Sequence, residues 1–88
     1  MSVVLQFIDI IESDIIDKNY QLSNYKDDII TYHWLQKNII LDILIKENIC
    51  AIKNNDNVLW YSLDDEDIEI KSSRILLTLN RFILKFNH

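Results

Sequence analysis

The sequence predicts a mostly helical α+β domain with the element order α-β-α-α-β-β-α, the last element being a C-terminal helix. Three observations support this prediction. Apolar residues recur at helical spacing near both ends of the chain, and residues 49–63 have the pattern of two short strands around a turn. The chain has 88 residues, 49% of them hydrophobic. A chain of this size has room for one core, so we expect a single domain over residues 1–88.

Three segments carry the helical pattern. In residues 2–18 the apolar residues repeat every three or four positions: Val4, Phe7, Ile8, Ile11 and Ile15. After a break at residues 19–22, Ser23 or Asn24 can cap a second helical stretch, which runs over residues 26–47 with a possible break near residues 32–34. The last helix is expected over about residues 66–86, after an acidic run.

Residues 49–63 predict a β-hairpin. Two runs that favour strands flank the polar residues 54–57, and asparagine and aspartate are the best substitutes for glycine in tight turns. The chain contains no glycine and no proline. We therefore expect its reversals to depend on Asn19, Ser23, Asn48 and residues 54–57.

The composition excludes several classes of enzyme. Without glycine the chain cannot form a phosphate-binding loop, a dinucleotide fingerprint or a nucleophile elbow. His33 is expected to be structural, and the single cysteine, Cys50, is expected to be a buried thiol among apolar neighbours. The acids from Asp64 to Glu69 favour helix capping over cation binding or nucleic-acid mimicry. We expect no catalytic residues, no metal and no cofactor.

The segment ILIKENICAIKNNDNVLWYSL resembles the second half of an ArsR-type or MarR-type regulator. It offers a helix end, a strand, a polar wing tip and a second strand that closes on Trp60 and Tyr61. The Zα winged helix binds left-handed DNA, and four residues of this chain lie at spacings similar to those of that family: Asn38, Leu41, Leu44 and Trp60. This resemblance to the winged-helix superfamily covers residues 3–63. It implies a winged-helix fold and a homodimeric DNA-binding regulator.

The groove-facing positions of that fold would hold Ile39, Ile40, Asp42 and Ile43, which is the wrong chemistry for bases and phosphates. We therefore expect a non-enzymatic protein-protein interaction module that forms a homodimer or binds a protein partner, with Ile39, Ile40 and Ile43 as its apolar contact. Self-association is expected through the first and last helices. The alternative is a winged-helix DNA-binding transcription regulator.

Five bases are candidate contacts for an anion or nucleic acid: Lys53, Lys71, Arg74, Arg81 and Lys85. The last four share one stripe of the final helix with Thr78, and the net charge of the chain is −5. This stripe can be a solvated face, a seat for nucleic acid or anionic lipid, or a partner for acids such as Asp9 and Glu12 of the first helix.

Two further features bear on location and source. The N-terminus lacks the basic start of a signal peptide and no apolar run is long enough to span a membrane, so we expect an intracellular protein. The abundance of isoleucine and asparagine is typical of AT-rich coding sequences, and it suggests a virus, a phage or an AT-rich microbe as the source, with a viral or phage effector as one interpretation.

Overall fold

A computed structural model describes residues 2–26, 28–64 and 67–85. Within them, an antiparallel sheet of five strands lies in the chain between two α-helices. The elements are α1 (Val3–Asp14), β1 (Gln21–Lys26), β2 (Ile29–Trp34), a 3-10 turn (Leu35–Lys37), β3 (Ile39–Leu44), β4 (Ile49–Asn54), β5 (Asn57–Ser62) and α2 (Ile68–Lys85).

The prediction of a mostly helical, winged-helix fold was wrong. Residues 26–47 were expected to be helical, yet they contain β2 and β3. Isoleucine, threonine and aromatic side chains fill these strands, and such residues favour a pleated, half-buried surface. An apolar run that is shielded on both sides looks the same in a buried helix and in a central strand.

The strands follow each other as a simple meander in the order β1-β2-β3-β4-β5. The register places Tyr32 opposite Leu41, Leu41 opposite Ile52, and Ile52 opposite Leu59. Opposite residues in an antiparallel sheet point to the same face. This row of side chains therefore lies on one side of the sheet, together with the residues two positions away on each strand.

Both helices cover that side of the sheet, and the hydrophobic core lies between them. Phe7 and Ile11 of α1 and Ile75 and Leu79 of α2 are fully buried with the central strands. The hydroxyl of Tyr32 donates a 2.7 Å hydrogen bond to Glu12 of α1. The helical layer is thus fastened to the three central strands.

The helix ends carry the expected polar caps. The Ser2 side chain accepts a hydrogen bond from the backbone N–H of Val4, and Asp67 accepts from the N–H of Glu69 at 2.9 Å. The capping role predicted for the acidic run is confirmed at Asp67. Four residues of the predicted segments lie outside the described residues: Asp27 of the second helical stretch, Asp65 and Glu66 of the acidic run, and Phe86 of the last helix. His88 lies outside them as well.

Asparagines at positive φ stand at three strand connections. Asn38 precedes β3, Asn48 precedes β4, and Asn55 occupies the turn between β4 and β5, with φ values of 54°, 52° and 57°. Asparagine tolerates the left-handed region better than other residues that carry a Cβ. The turns predicted at Asn48 and at residues 54–57 are confirmed, whereas the turn at Asn38 was not predicted.

Candidate protein-interaction site

The face of the sheet opposite the helices carries no covering element among the described residues. Its central row runs across the strands as Thr31, Asp42, Ala51 and Trp60. Thr31 Oγ1 donates to Asp42 Oδ1 at 2.6 Å, and Lys53 Nζ lies 2.9 Å from Asp42 Oδ2. This polar centre has its own partners within the sheet. Apolar side chains surround it: Ile29, Ile40, Leu44, Ile49, Val58 and Trp60.

Strand β5 is the most exposed apolar part of the sheet. Three successive side chains are open to solvent, with exposed fractions of 44% for Val58, 38% for Leu59 and 59% for Trp60. Val58 and Trp60 lie on the open face, whereas Leu59 lies on the helix side. Leu59 shares its row with the fully buried Ile52, so the helical layer does not cover β5 at this row, whereas Tyr61, two positions further on the same face, packs against the core. Both faces of this edge are therefore accessible.

The free hydrogen-bonding groups of β5 can be assigned from its ladder with β4. The N–H of Leu63 donates to the carbonyl of Asn48 at 2.8 Å, which continues the β4–β5 register. Hydrogen-bonded and non-bonded pairs alternate along an antiparallel ladder. Residues 57, 59 and 61 therefore bond inward to β4, and the N–H and C=O groups of Val58, Trp60 and Ser62 point outward from the edge.

The two edges of the sheet differ. The ladder of β1 with β2 has a register shift between Ser23 and Lys26. Such irregularities, and edge lysines, oppose pairing with another chain. Strand β5 instead has a regular register over all of Asn57–Ser62 and contains no charged residue. Of the two edges, only β5 combines a straight ladder with exposed apolar side chains.

The structure separates the three isoleucines that the sequence assigned to an apolar contact. Ile39 and Ile43 are fully buried on the helix side of β3, so they belong to the core and present no surface to a partner. Ile40 is half-buried on the open face. Successive strand residues point to opposite faces, which is why neighbours in the sequence have different environments.

The candidate anion contacts do not form one patch. Lys53 is paired with Asp42 on the open face. Arg74, Arg81 and Lys85 are exposed on α2, whereas Lys71 is half-buried there. Two acids of the N-terminal region have partners inside the molecule, because Glu12 accepts from Tyr32 and Asp17 lies 3.8 Å from Lys37.

The predicted self-association through the first and last helices stays a prediction. The residues that α1 and α2 bury are directed at each other and at the sheet of the same molecule. Their apolar faces are therefore used in the core. Outside these faces Leu5, Ile70, Leu77 and Leu84 are exposed on the helices, and the β5 edge differs from them because it also presents outward main-chain N–H and C=O groups.

Two titratable groups in the core, Cys50 and Tyr32, are held in their neutral forms by burial. Burial raises the pKa of the Cys50 thiol to about 12, so the thiolate that would react is suppressed at neutral pH. The predicted burial of Cys50 is confirmed. Desolvation and the hydrogen bond to Glu12 raise the pKa of Tyr32 far above its ordinary value. Across the described ranges, no three histidine, cysteine or acidic side chains converge as a metal site requires.

No family model, curated protein or solved structure matches the chain. The class that the fold defines is a small α+β protein in which two helices cover one face of a five-stranded antiparallel meander. Within the described segments, neither helix is both long and apolar enough to cross a lipid bilayer.

Sequence reasoning named Trp60 as an aromatic residue of a returning strand and as part of the Zα-like spacing, and did not assign it to the protein interface. The signal was available in the run Val58-Leu59-Trp60-Tyr61, which is apolar at every position. A strand with one solvated face normally alternates apolar and polar residues. An uninterrupted apolar run in the last strand before a helix is therefore typical of a strand whose two faces are both buried against protein.

Proposed function

We propose that this protein is a non-enzymatic protein-interaction module that binds polypeptides by accepting an additional strand at β5. The observation that supports the proposal most is the outward row of N–H and C=O groups at Val58, Trp60 and Ser62, set among exposed apolar side chains. In strand addition, main-chain hydrogen bonds provide affinity and alternate side chains provide selectivity.

The surroundings of β5 fit this mode of binding. An incoming strand would extend the sheet, and its side chains would contact Trp60 and Val58 on the open face and Leu59 on the helix side. Exposed apolar patches of this kind mark interaction surfaces, and tryptophan is enriched among the residues that dominate binding energy. The DNA-binding alternative assigns the DNA contact to the last helix or to Lys53 and stays a prediction. Lys53 is paired with Asp42 at 2.9 Å on the open face.

A peptide selection tests the proposal. The protein, immobilised at low density, is presented with a display library of random heptapeptides, and the enriched peptides are synthesised for affinity measurements. We expect peptides with alternating apolar residues. Their affinity should fall at least about tenfold, equivalent to about 1.4 kcal/mol, in the variants Trp60→Lys and Val58→Pro. Proline at position 58 removes an outward N–H and leaves the ladder with β4 intact.

The matched control is Leu22→Lys, on the opposite edge strand, where the exposed fraction of 56% is close to that of Trp60. Its affinity for the selected peptides should stay within about twofold of the original protein, a difference below about 0.5 kcal/mol. Urea unfolding confirms that each variant is folded. Selected peptides that bind Trp60→Lys and Val58→Pro as tightly as the original protein would contradict the proposal, as would the absence of any enriched peptide.

A further inference from the structure

The occupant of the β5 edge can be inferred from the charge and symmetry of the strand. This step rests on the proposed function and specifies its partner. The chain carries a net charge of −5, so two copies repel each other through most surfaces. Strand β5 is uncharged from Asn57 to Ser62. Contact through this edge therefore brings two copies together without placing like charges in the paired segment.

Symmetry restricts how two β5 strands can pair. Identical edge strands meet antiparallel about a two-fold axis perpendicular to the sheet, which keeps the helices of both copies on the same side. Opposite residues must then point to the same face of the sheet. Odd-numbered residues of β5 therefore pair with odd-numbered residues, and even-numbered residues pair with even-numbered ones. The two registers that pair the most residues of Asn57–Ser62 are centred on Leu59 and on Trp60.

The two registers differ in what they place together. With Trp60 at the centre, Asp56 of each copy stands opposite Asp64 of the other, and like charges directly opposite are destabilising. With Leu59 at the centre, Leu59 meets Leu59 and each Trp60 meets Val58 of the other copy. All three exposed apolar side chains of β5 then have apolar neighbours.

The hydrogen-bonding groups agree with the register centred on Leu59. The outward N–H and C=O groups belong to Val58, Trp60 and Ser62, and this register makes Val58 and Trp60 opposite partners. The register centred on Trp60 would also place outward groups opposite each other, so the choice between the two registers depends on the charges and the apolar contacts. Each Val58–Trp60 pair can exchange two main-chain hydrogen bonds. The Leu59–Leu59 pair is a non-bonded pair, in which the Cα atoms of antiparallel strands lie about 4.5 Å apart.

We propose that the protein forms a two-fold symmetric dimer in which β5 pairs antiparallel with β5 of a second copy, with Leu59 opposite Leu59. The two sheets become one continuous sheet, and the two open faces join through the Trp60 and Val58 side chains. A single strand pair is a small interface, so the dimer forms in a concentration-dependent manner.

Engineered cysteines measure this register directly. In the variant Leu59→Cys, the two thiols occupy opposite positions at a distance within the range for a disulfide, about 4.4–6.8 Å between Cα atoms. Mild oxidation should convert most of the protein to a covalent dimer on a non-reducing gel. The native Cys50 is buried and does not compete.

The matched control is Val58→Cys, whose two thiols lie diagonally across the pair at about 7–8 Å and should not cross-link. A mixture of Val58→Cys and Trp60→Cys should form the mixed covalent dimer, because these positions are opposite. Urea unfolding checks whether Leu59→Cys alters folding. If it does, the mixture of the other two variants tests the same register without a change at Leu59.

Three results would overturn the inference. Cross-linking of Trp60→Cys with itself would show the other register, and equal cross-linking at 58, 59 and 60 would show random collision. A monomeric mass by light scattering at every concentration, without cross-linking, would exclude the dimer. If the protein is monomeric but the selected peptides still bind at β5, the proposed function stands with a different protein as partner. If the protein neither dimerises nor binds peptides at β5, the proposed function itself is contradicted.

Discussion

At the scale of single residues, isoleucines at adjacent positions of strand β3 have different roles. Ile39 and Ile43 fill the core beneath the helices, whereas Ile40 contributes to the open face. The sequence predicts that all three are apolar contacts. It cannot assign them to a side, because a shift of one residue in the register exchanges the two faces of a strand.

The free energy of unfolding should separate these isoleucines. Ile39→Ala removes a fully buried side chain and leaves a cavity, so we expect a loss of about 2–5 kcal/mol. Ile40→Ala removes a half-buried side chain from the open face, and a loss of about 1 kcal/mol or less is expected. Urea denaturation monitored by tryptophan fluorescence measures both. Equal losses would mean that the two positions are equally buried.

At the scale of elements, the ends of the chain were predictable and the middle was not. The first and last helices were predicted from their apolar spacing, and the hairpin at residues 49–63 was predicted from the asparagine-rich turn. Strands β2 and β3 were taken for a helical stretch over residues 26–47 with a break near residues 32–34, because their apolar residues fill most positions and the turn at Asn38 lacks glycine and proline. Recurrent asparagines at 38, 48 and 55 indicate a meander once they are considered together.

The importance of these asparagines can be measured at Asn48, between β3 and β4. Alanine at a positive φ is strained, so Asn48→Ala should reduce the free energy of unfolding by about 1–2 kcal/mol. Asn48→Gly should leave it within about 0.5 kcal/mol of the original value, because glycine has no Cβ. The control Asn19→Ala lies at a residue without positive φ and should have little effect. Thermal or urea unfolding gives the comparison, and an equal loss for alanine and glycine would refute the role of φ.

At the scale of the whole molecule, the candidate site results from topology. Two helices cover the central strands and Tyr61 of β5 packs against the core, so one sheet face stays open and Val58, Leu59 and Trp60 of β5 are exposed. The apolar residues at the groove-facing positions of the expected fold indicated an interaction module, but the position of its exposed apolar surface depends on strand order, which the sequence did not predict. The regular ladder of β5 and the register shift in β1 make the two edges unequal.

Amide hydrogen exchange along β5, measured by NMR, tests most directly whether its outward groups receive another strand. The amides of Leu59 and Tyr61 bond to β4, so they should exchange slowly under all conditions. The amides of Val58 and Trp60 should exchange rapidly in dilute protein, and slowly at high protein concentration or with a selected peptide bound. If the Val58 and Trp60 amides exchange at one unchanged rate under all three conditions, no strand adds at β5 and the account is contradicted.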